Sequence, residues 1–440
     1  MAEPVDTLIE ARWIASVEPG AGVLERHALV AHSGRIVALL PVEVARERYT
    51  AGRRYALDRH LLIPGLINLH THAAMTLMRG YADDVALMDW LKARVWPVET
   101  RLANAEFVYD GTLLACAEML RGGVTCFSDM YFFPEAAARA ALAAGIRAAL
   151  GMIVFEFPSA YGGGAADYLS KGLATRDAFG NEALLSFCLA PHAPYTVSDK
   201  TFAQVATYSA ELDVPIHMHV HETEDEIRQS VAQFHCRPLA RLRSLGLLGP
   251  NLIAVHCVHL DPAEIELLAE HGCHVAHCPS SNLKLASGLA PIGALVRRGV
   301  NVGIGTDGAA SNNRLDVLGE MRLAALLAKG ASGDATALDA RHALAMATLN
   351  GACALGLERE IGSLAPGKAA DIVAVDLGAA ELQPCYDPIS QLVYAAGREH
   401  VSHVWIGGEI RLDAGVLTGL DPAEMSARAA SWRERIGALR

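Results

Sequence analysis

The chain has 440 residues, of which 52% are hydrophobic and 20% charged, with a formal net charge of −12. That length and balance fit a soluble protein with a large core, built as one decorated domain or as a large domain plus a small one. The acidic balance, with no basic cluster longer than Arg53-Arg54 or Arg297-Arg298, argues against nucleic acid or an anionic membrane as the main partner.

The N-terminus, MAEPVDTLIEARW, carries acids and lacks a basic start followed by an apolar segment, so no signal peptide is expected and the location is read as cytoplasmic. Short β-like pieces follow at 7–11, 28–32 and 35–40. From residue 61 the chain alternates short apolar runs with longer helical patterns. Strands are expected at 61–69, 124–129, 147–154, 184–190, 215–221, 252–258, 274–278 and 301–306. Helical periodicity lies between them, as at 106–121, 199–212, 262–271 and 289–298. Strand and helix repeated eight times is the pattern of an α/β protein with a (β/α)8 TIM-like barrel. The most apolar stretch, 136–155, is broken by Arg139, Gly145 and Arg147, and reads as a helix followed by a buried strand rather than a membrane span. Gly162-Gly163-Gly164 marks a flexible loop after the third strand, where barrels carry site loops. After a helical run at 337–357 and the turn-rich segment 362–371, β-like pieces return at 371–375, 403–406 and 409–412. Strands from both ends suggest one small β-sandwich domain, residues 1–60 with 368–425, around a barrel at 61–367, with a C-terminal helix at 426–440. The nine cysteines form no CxxC pair and read as reduced, buried thiols. Apolar helices outside a barrel are compatible with a homo-oligomer, a dimer or tetramer.

Polar residues stand at the ends of these strands. His70 and His72 end the first, His192 follows the fourth, and His219 and Glu222 end the fifth. His256 ends the sixth, and Asp307 follows the eighth. In a parallel barrel those ends converge on the face that carries the chemistry. His70-Thr71-His72 puts two imidazoles on one side of an extended backbone. Two imidazoles suit zinc or iron, and a third histidine with a carboxylate completes a metal site that leaves room for water. Spacing does not choose among His217, His219 and His221, which share a face, nor between His256 and His259. Asp307 alone reads equally well as a helix cap. His271, His274 and His277 read as structural, and His32, His60, His235 and His342 as surface or packing residues.

At these residues the chain resembles the amidohydrolase superfamily, and within it the 5′-methylthioadenosine/S-adenosylhomocysteine deaminases and the related triazine hydrolases. The segments that carry the resemblance are PGLINLHTHAAMTLMRGYADD, VWPVE, GGVTCFSDMYF, PHAPYTVS, HMHVHETEDE, AVHCVHL, HCPSSNLKLASG, GTDGAASNN and GSLAPGKAADIV, in order from Pro64 to Val375. The resemblance implies that His70, His72, His219 and Asp307 hold one divalent metal, zinc. It assigns the fifth strand to His-x-x-Glu, His219 with Glu222. It makes Glu222 and His256 catalytic, Asp307 the acceptor of the water's proton, Glu99 a carboxylate for ribose hydroxyls and His192 a substrate contact. Two departures from the family pattern stand out. Leu189-Ala190-Pro191-His192 has no lysine to bridge a second metal, which implies one zinc per subunit. Residues 152–171 contain no arginine for an amino-acid carboxylate. The expected activity is therefore deamination of 5′-methylthioadenosine to 5′-methylthioinosine and ammonia, with S-adenosylhomocysteine or adenosine as poorer substrates. The alternatives are a triazine or other N-heterocycle amino- or chlorohydrolase, and an inactive barrel acting as an assembly protein.

Overall fold

The structure, a computed structural model, describes residues 2–85 and 87–439. Four strands come first: β1 (Glu3–Ala15), β2 (Val23–His32), β3 (Arg35–Pro41) and β4 (Tyr49–Pro64). Eight follow with helices between them: β5 (Leu66–Thr71), β6 (Val124–Asp129), β7 (Arg147–Val154), β8 (Leu185–Pro191), β9 (Ile216–Val220), β10 (Leu252–His256), β11 (His274–His277) and β12 (Asn301–Ile304). The chain then returns with β13 (Ile372–Asp376), β14 (Val401–Ile406), β15 (Glu409–Asp413) and β16 (Val416–Leu417).

Strands β5 to β12 form one sheet in sequential order, parallel throughout. It closes at the site itself: the carbonyl of His70, on β5, accepts from Thr306 N at 3.1 Å and Asp307 N at 2.9 Å, just past β12. Period-two alternation divides β5. Asn68 exchanges hydrogen bonds with Thr306 across that seam, while Ile67 and Leu69 turn into the barrel and pack with Cys126, Ala149, Ile253, Val255 and Ala276 from the other strands. The eight expected barrel strands are all present, most within two residues of the expected bounds.

The first expected strand, 61–69, divides at Gly65. Leu61–Pro64 pair antiparallel with β13 and belong to the terminal sheet, and only Leu66 onward enters the barrel. Both are buried apolar runs, so hydrophobicity alone cannot separate them. A Cβ at Gly65 would lie 1.9 Å from Thr125 Oγ1, so only glycine fits where the chain crosses between sheets. The second sheet has the order β16-β15-β14-β13-β4-β1-β2-β3, with β4 and β1 parallel. The expected sandwich is thus one hydrogen-bonded sheet curled on itself. Its flanks meet across Ile9, Leu29, Ile36, Leu62, Ile372 and Trp405. Its edge at β3 returns to the chain before β13, with Ile36 N donating to Lys368 O at 2.9 Å.

Two further expectations shift. The run 337–357 is two helices, Ala340–Met346 and Leu349–Ala354, parted where Ala347 O accepts from Ile67 N. The C-terminal helix begins earlier than 426, as Pro422–Gly437, because Asp421 caps it and Pro422 opens it. It docks on the barrel helix Ala105–Arg121, where Trp432 Nε1 donates to Asp110 Oδ2 at 2.9 Å and its ring meets Phe107. The helix Pro388–Tyr394, inside the expected 368–425, packs into the large core with Ile389, Leu392 and Val393. No described helix is long and apolar enough to cross a membrane.

Candidate metal and active centre

Four barrel strands deliver the metal-binding candidates. Side-chain ligand atoms of His70, His72 and His219 lie within 4.8 Å of one another, as do those of His70, His256 and Asp307. Asp307 Oδ1 stands 3.4 Å from His70 Nε2 and 3.3 Å from His72 Nε2. Each imidazole is oriented from behind. His72 Nδ1 donates to Met130 O at 2.5 Å and His219 Nδ1 to His192 O at 2.8 Å. A carbonyl only accepts, so both rings carry the proton on Nδ1 and keep the Nε2 lone pair free. His70 Nδ1 sits 2.9 Å from His217 Nε2, and His217 Nδ1 in turn faces Ser128 Oγ at 3.2 Å.

Burial is the first cause of each histidine's shift. It pushes His70 down to about 4, although Asp307 pulls the other way, and it pushes His192 down to about 3. His217 and His219 also fall well below the ordinary value, burial first and the neighbouring imidazoles after it. Burial alone would raise the Asp307 carboxyl, but its close approach to His70 and the neighbouring imidazoles His72 and His256 hold it well below the usual range. The centre therefore sets neutral His70 and His219 beside one carboxylate. His70 Nε2 is buried without a hydrogen-bond partner. An orphaned buried nitrogen beside two free imidazole nitrogens and a carboxylate oxygen is a donor set suited to zinc.

The strand ends achieve this by leaving ordinary backbone geometry. His221 after β9, His256 at the end of β10 and Asp307 after β12 adopt φ of 55°, 70° and 61°. Left-handed backbone is costly for such residues and gathers where a site holds it in place. Gly305 and Gly308 flank Asp307 because a Cβ there would come 2.9 Å and 3.1 Å from the Cβ of His70 and His72.

Above the cluster lies a cavity of about 570 Å³ lined by His72, His192, His219, Glu222, His256, Asp307 and Glu99. Glu222 Oε2 is 3.8 Å from His256 Nε2. Burial raises the Glu222 carboxyl, the His256 charge lowers it and Asp307 raises it again, for a net upward shift. Glu99 comes from the short helix Trp96–Leu102 and accepts from Tyr131 OH at 2.7 Å. Burial pushes Glu99 up to about 7 against that bond. His192 Nδ1 is held 3.1 Å from Thr196 Oγ1, with its ring 4.6 Å from that of Phe155. Trp90, Trp96, Phe132, Phe155, Phe157 and Tyr195 complete the wall, and no lysine or arginine lines the cavity among the described residues.

All eight sequence-derived site residues therefore meet in one place. Of the three alternating histidines, His219 faces the cavity, His217 backs His70, and His221 turns away to bind Leu239 N and His259 O. His259 donates to Ser287 O, away from the cavity. Sequence reasoning missed the aromatic wall, because its members come from scattered loops. It also missed Ser281, which donates to Asp307 Oδ2 at 2.6 Å, and Asn282, at 2.8 Å from His256 Nδ1.

The amidohydrolase family model matches residues 61–411. The chain belongs to the amidohydrolase family. Over 436 residues, 99% of each chain, this amidohydrolase is 48% identical to the 5-methylthioadenosine/S-adenosylhomocysteine deaminase of Teredinibacter turnerae. Over 437 residues it is 44% identical to the protein of the same name from Saccharophagus degradans, covering 99% of this chain and 98% of that one. Among solved structures, an adenosine deaminase from Xanthomonas campestris with bound zinc superposes over 100% of both chains with a TM-score of 0.98 at 50% identity. Atrazine chlorohydrolase from Arthrobacter aurescens, 24% identical with a TM-score of 0.90 over 97% of this chain and 99% of that one, shares the fold.

Proposed function

We propose that this amidohydrolase is a zinc-dependent hydrolytic deaminase of adenine nucleosides, with 5′-methylthioadenosine preferred over S-adenosylhomocysteine and adenosine. The observation that carries the reading is a single cavity in which Glu222 and His256 flank a His/His/His/Asp cluster, Glu99 stands on another wall, and no lysine or arginine among the described residues lines the space. The names and near-complete overlap of the relatives support it.

His70, His72, His219 and Asp307 would hold one zinc. The end of β8, Leu189-Ala190-Pro191-His192, offers no lysine for a second. When bound, zinc lowers the pKa of a coordinated water to roughly 7 and so makes a nucleophile available at neutral pH. The protein's own groups do the rest. Asp307 takes the water's proton. His256, beside both Asp307 and Glu222, orients the attacking oxygen towards C6 of the purine. Glu222, whose carboxyl burial shifts upward, gives a proton to the ring nitrogen next to C6, which makes that carbon electrophilic. Asp307 then returns its proton to the amino group, the C6–N bond breaks, and the remaining hydroxyl proton passes to Glu222, so ammonia departs and leaves the 6-oxo product. Glu99 accepts hydrogen bonds from the ribose diol, and His192 packs against the nucleoside.

The aromatic wall of Phe132, Phe155 and Phe157 suits an apolar 5′ substituent, whereas a 5′ amino-acid carboxylate would be buried without a cation. A ribose-gripping Glu99 favours a nucleoside over a triazine. Retention of every ligand together with Glu222 favours an enzyme over an inactive barrel. Zinc analysis combined with ammonia release over a panel of adenine nucleosides and triazines tests the reading. A zinc-replete protein that releases no ammonia from any adenine nucleoside would overturn it.

A further inference from the structure

The segment HCPSSNLKLASG contributes no ligand and no residue to the chemistry above, yet two adjacent side chains in it grip two members of the site. Both sit on the short helix Pro279–Lys284 that follows β11. Ser281 Oγ donates to Asp307 Oδ2 at 2.6 Å. Asp307 Oδ1 meanwhile accepts from Gly308 N at 2.7 Å and faces His70 and His72. The carboxylate is thus held on both oxygens, and its plane is fixed with Oδ1 towards the histidines. One residue on, Asn282 Oδ1 lies 2.8 Å from His256 Nδ1. An amide oxygen accepts, so His256 carries a proton on Nδ1 and directs Nε2 towards Glu222.

Neither contact is explained by stability alone. Asn282 is 2% exposed, and its Nδ2 is buried with no partner. A buried amide that satisfies only one end costs free energy compared with an apolar residue of the same shape. The helix that carries the pair is itself fixed to the neighbouring loop. Glu320, from the helix Val317–Ser332, accepts from Ser280 N at 2.9 Å and from Asn312 Nδ2 at 2.8 Å, and Asn312 Nδ2 also reaches Thr306 O beside Asp307. The loops after β11 and β12 are therefore tied together by hydrogen bonds through Glu320 and Asn312.

We propose that Ser281 and Asn282 are a two-pronged positioning device: Ser281 sets the metal-facing carboxylate of Asp307, and Asn282 sets the tautomer of His256. The inference rests on the roles given above to Asp307 and His256. It predicts that the two prongs separate. Removing the first acts on metal affinity, and removing the second acts on turnover. Partners behind metal ligands are typically worth ~10–100-fold in affinity or activity.

The test uses the full-length protein, apo and zinc-loaded, with zinc affinity read by competition against a chromophoric chelator. Ser281→Ala should weaken zinc by ~10–100-fold. Asn282→Ala should leave zinc affinity within about threefold while kcat falls by ~10–100-fold and KM changes less. Asn282→Asp, which keeps an acceptor at the same place, should recover most of the lost kcat. Histidine 15N NMR of the zinc form should show His256 losing its fixed Nδ1–H tautomer in Asn282→Ala and keeping it in Ser281→Ala. Thermal unfolding of each variant separates these effects from loss of fold, and Ser281→Cys and Asn282→Asp carry the test if an alanine variant does not fold. Unchanged zinc affinity in Ser281→Ala or Ser281→Cys overturns the first prong. Wild-type turnover in Asn282→Ala, or an Asn282→Asp protein that folds but is inactive, overturns the second. Wild-type protein that binds zinc but deaminates no nucleoside would sink the proposed function and leave the Ser281 measurement readable.

Discussion

The floor and the wall of the cavity are built on opposite principles. The floor is polar, comes from strand ends, and is held from behind: His72 by Met130 O, His219 by His192 O, His70 by His217 and Asp307 by Ser281. The wall is aromatic and comes from loops and short helices. Trp96, Phe157 and Tyr195 remain 38%, 43% and 38% exposed at its rim, where they border the opening of the cavity. The contrast separates chemistry from selectivity. A floor fixed by directed hydrogen bonds should fail abruptly when one group is removed, because buried partners are left unpaired. A wall of non-directional contacts should lose function in smaller steps.

The largest effect should come from the floor. His219→Ala should abolish zinc retention and with it deamination, whereas His221→Ala should keep the metal, because His221 binds Leu239 N and His259 O instead. Elemental analysis of the two variants decides between them. Metal loss from His221→Ala alone would mean that the fifth-strand ligand is misassigned, and two zinc ions per wild-type chain would remove the mononuclear reading.

Next is the proton carrier. Glu222→Gln keeps size and loses the titratable group. Zinc should stay bound while kcat falls by ~10²–10⁴-fold, the usual range for a general acid or base. Near-normal turnover by zinc-replete Glu222→Gln would take Glu222 out of the mechanism.

The difference between floor and wall also marks what could be read from the sequence. His70, His72, His219 and Asp307 were legible because each ends an apolar run, and eight such runs in order admit one architecture. Spacing alone left His217, His219 and His221 equivalent, and the resemblance to a family, not periodicity, chose among them. Leu61–Pro64 was placed in the wrong sheet because one apolar run feeds two cores across Gly65. The left-handed turns at His256 and Asp307 carry no residue signal of their own, since neither is glycine. Ser281 and Asn282 were hidden for a related reason. Small polar residues after a proline look like any helix start, and only the fold brings them to Asp307 and His256. The wall was the least legible part, because aromatic residues from five separate segments share no spacing.

The wall's main test is substrate choice. With no lysine or arginine lining the cavity among the described residues, a 5′ amino-acid carboxylate has no partner. A methylthio group gains from burial against Phe132, Phe155 and Phe157. The ratio of kcat/KM for 5′-methylthioadenosine to that for S-adenosylhomocysteine should be at least about tenfold, which needs only ~1.4 kcal/mol of differential transition-state binding. Adenosine should also fall below methylthioadenosine. Steady-state assays of the three nucleosides under one condition check this, and equal use of S-adenosylhomocysteine would mean that its carboxylate finds a partner outside the described lining.

The smallest expected effect belongs to the one wall residue that behaves like the floor. Glu99 is a carboxyl within the wall, and burial raises it to about 7 while Tyr131 pulls it down. Above that pH it is ionised and can accept from both ribose hydroxyls. Below it, the group is protonated and loses an acceptor. The sign follows: kcat/KM, which reports the free enzyme, should fall as pH drops through about 7. The fall should be a few-fold rather than complete, because a protonated carboxyl still has one accepting oxygen. kcat at saturation should be flatter, since hydrogen bonds from the diol favour the charged form and pull the carboxyl down once substrate is bound. Glu99→Gln cannot titrate, so it should show a lower kcat/KM without this acid limb. Profiles of wild type and Glu99→Gln with methylthioadenosine settle the point: the same limb in both proteins would assign it to another group and return Glu99 to the passive wall.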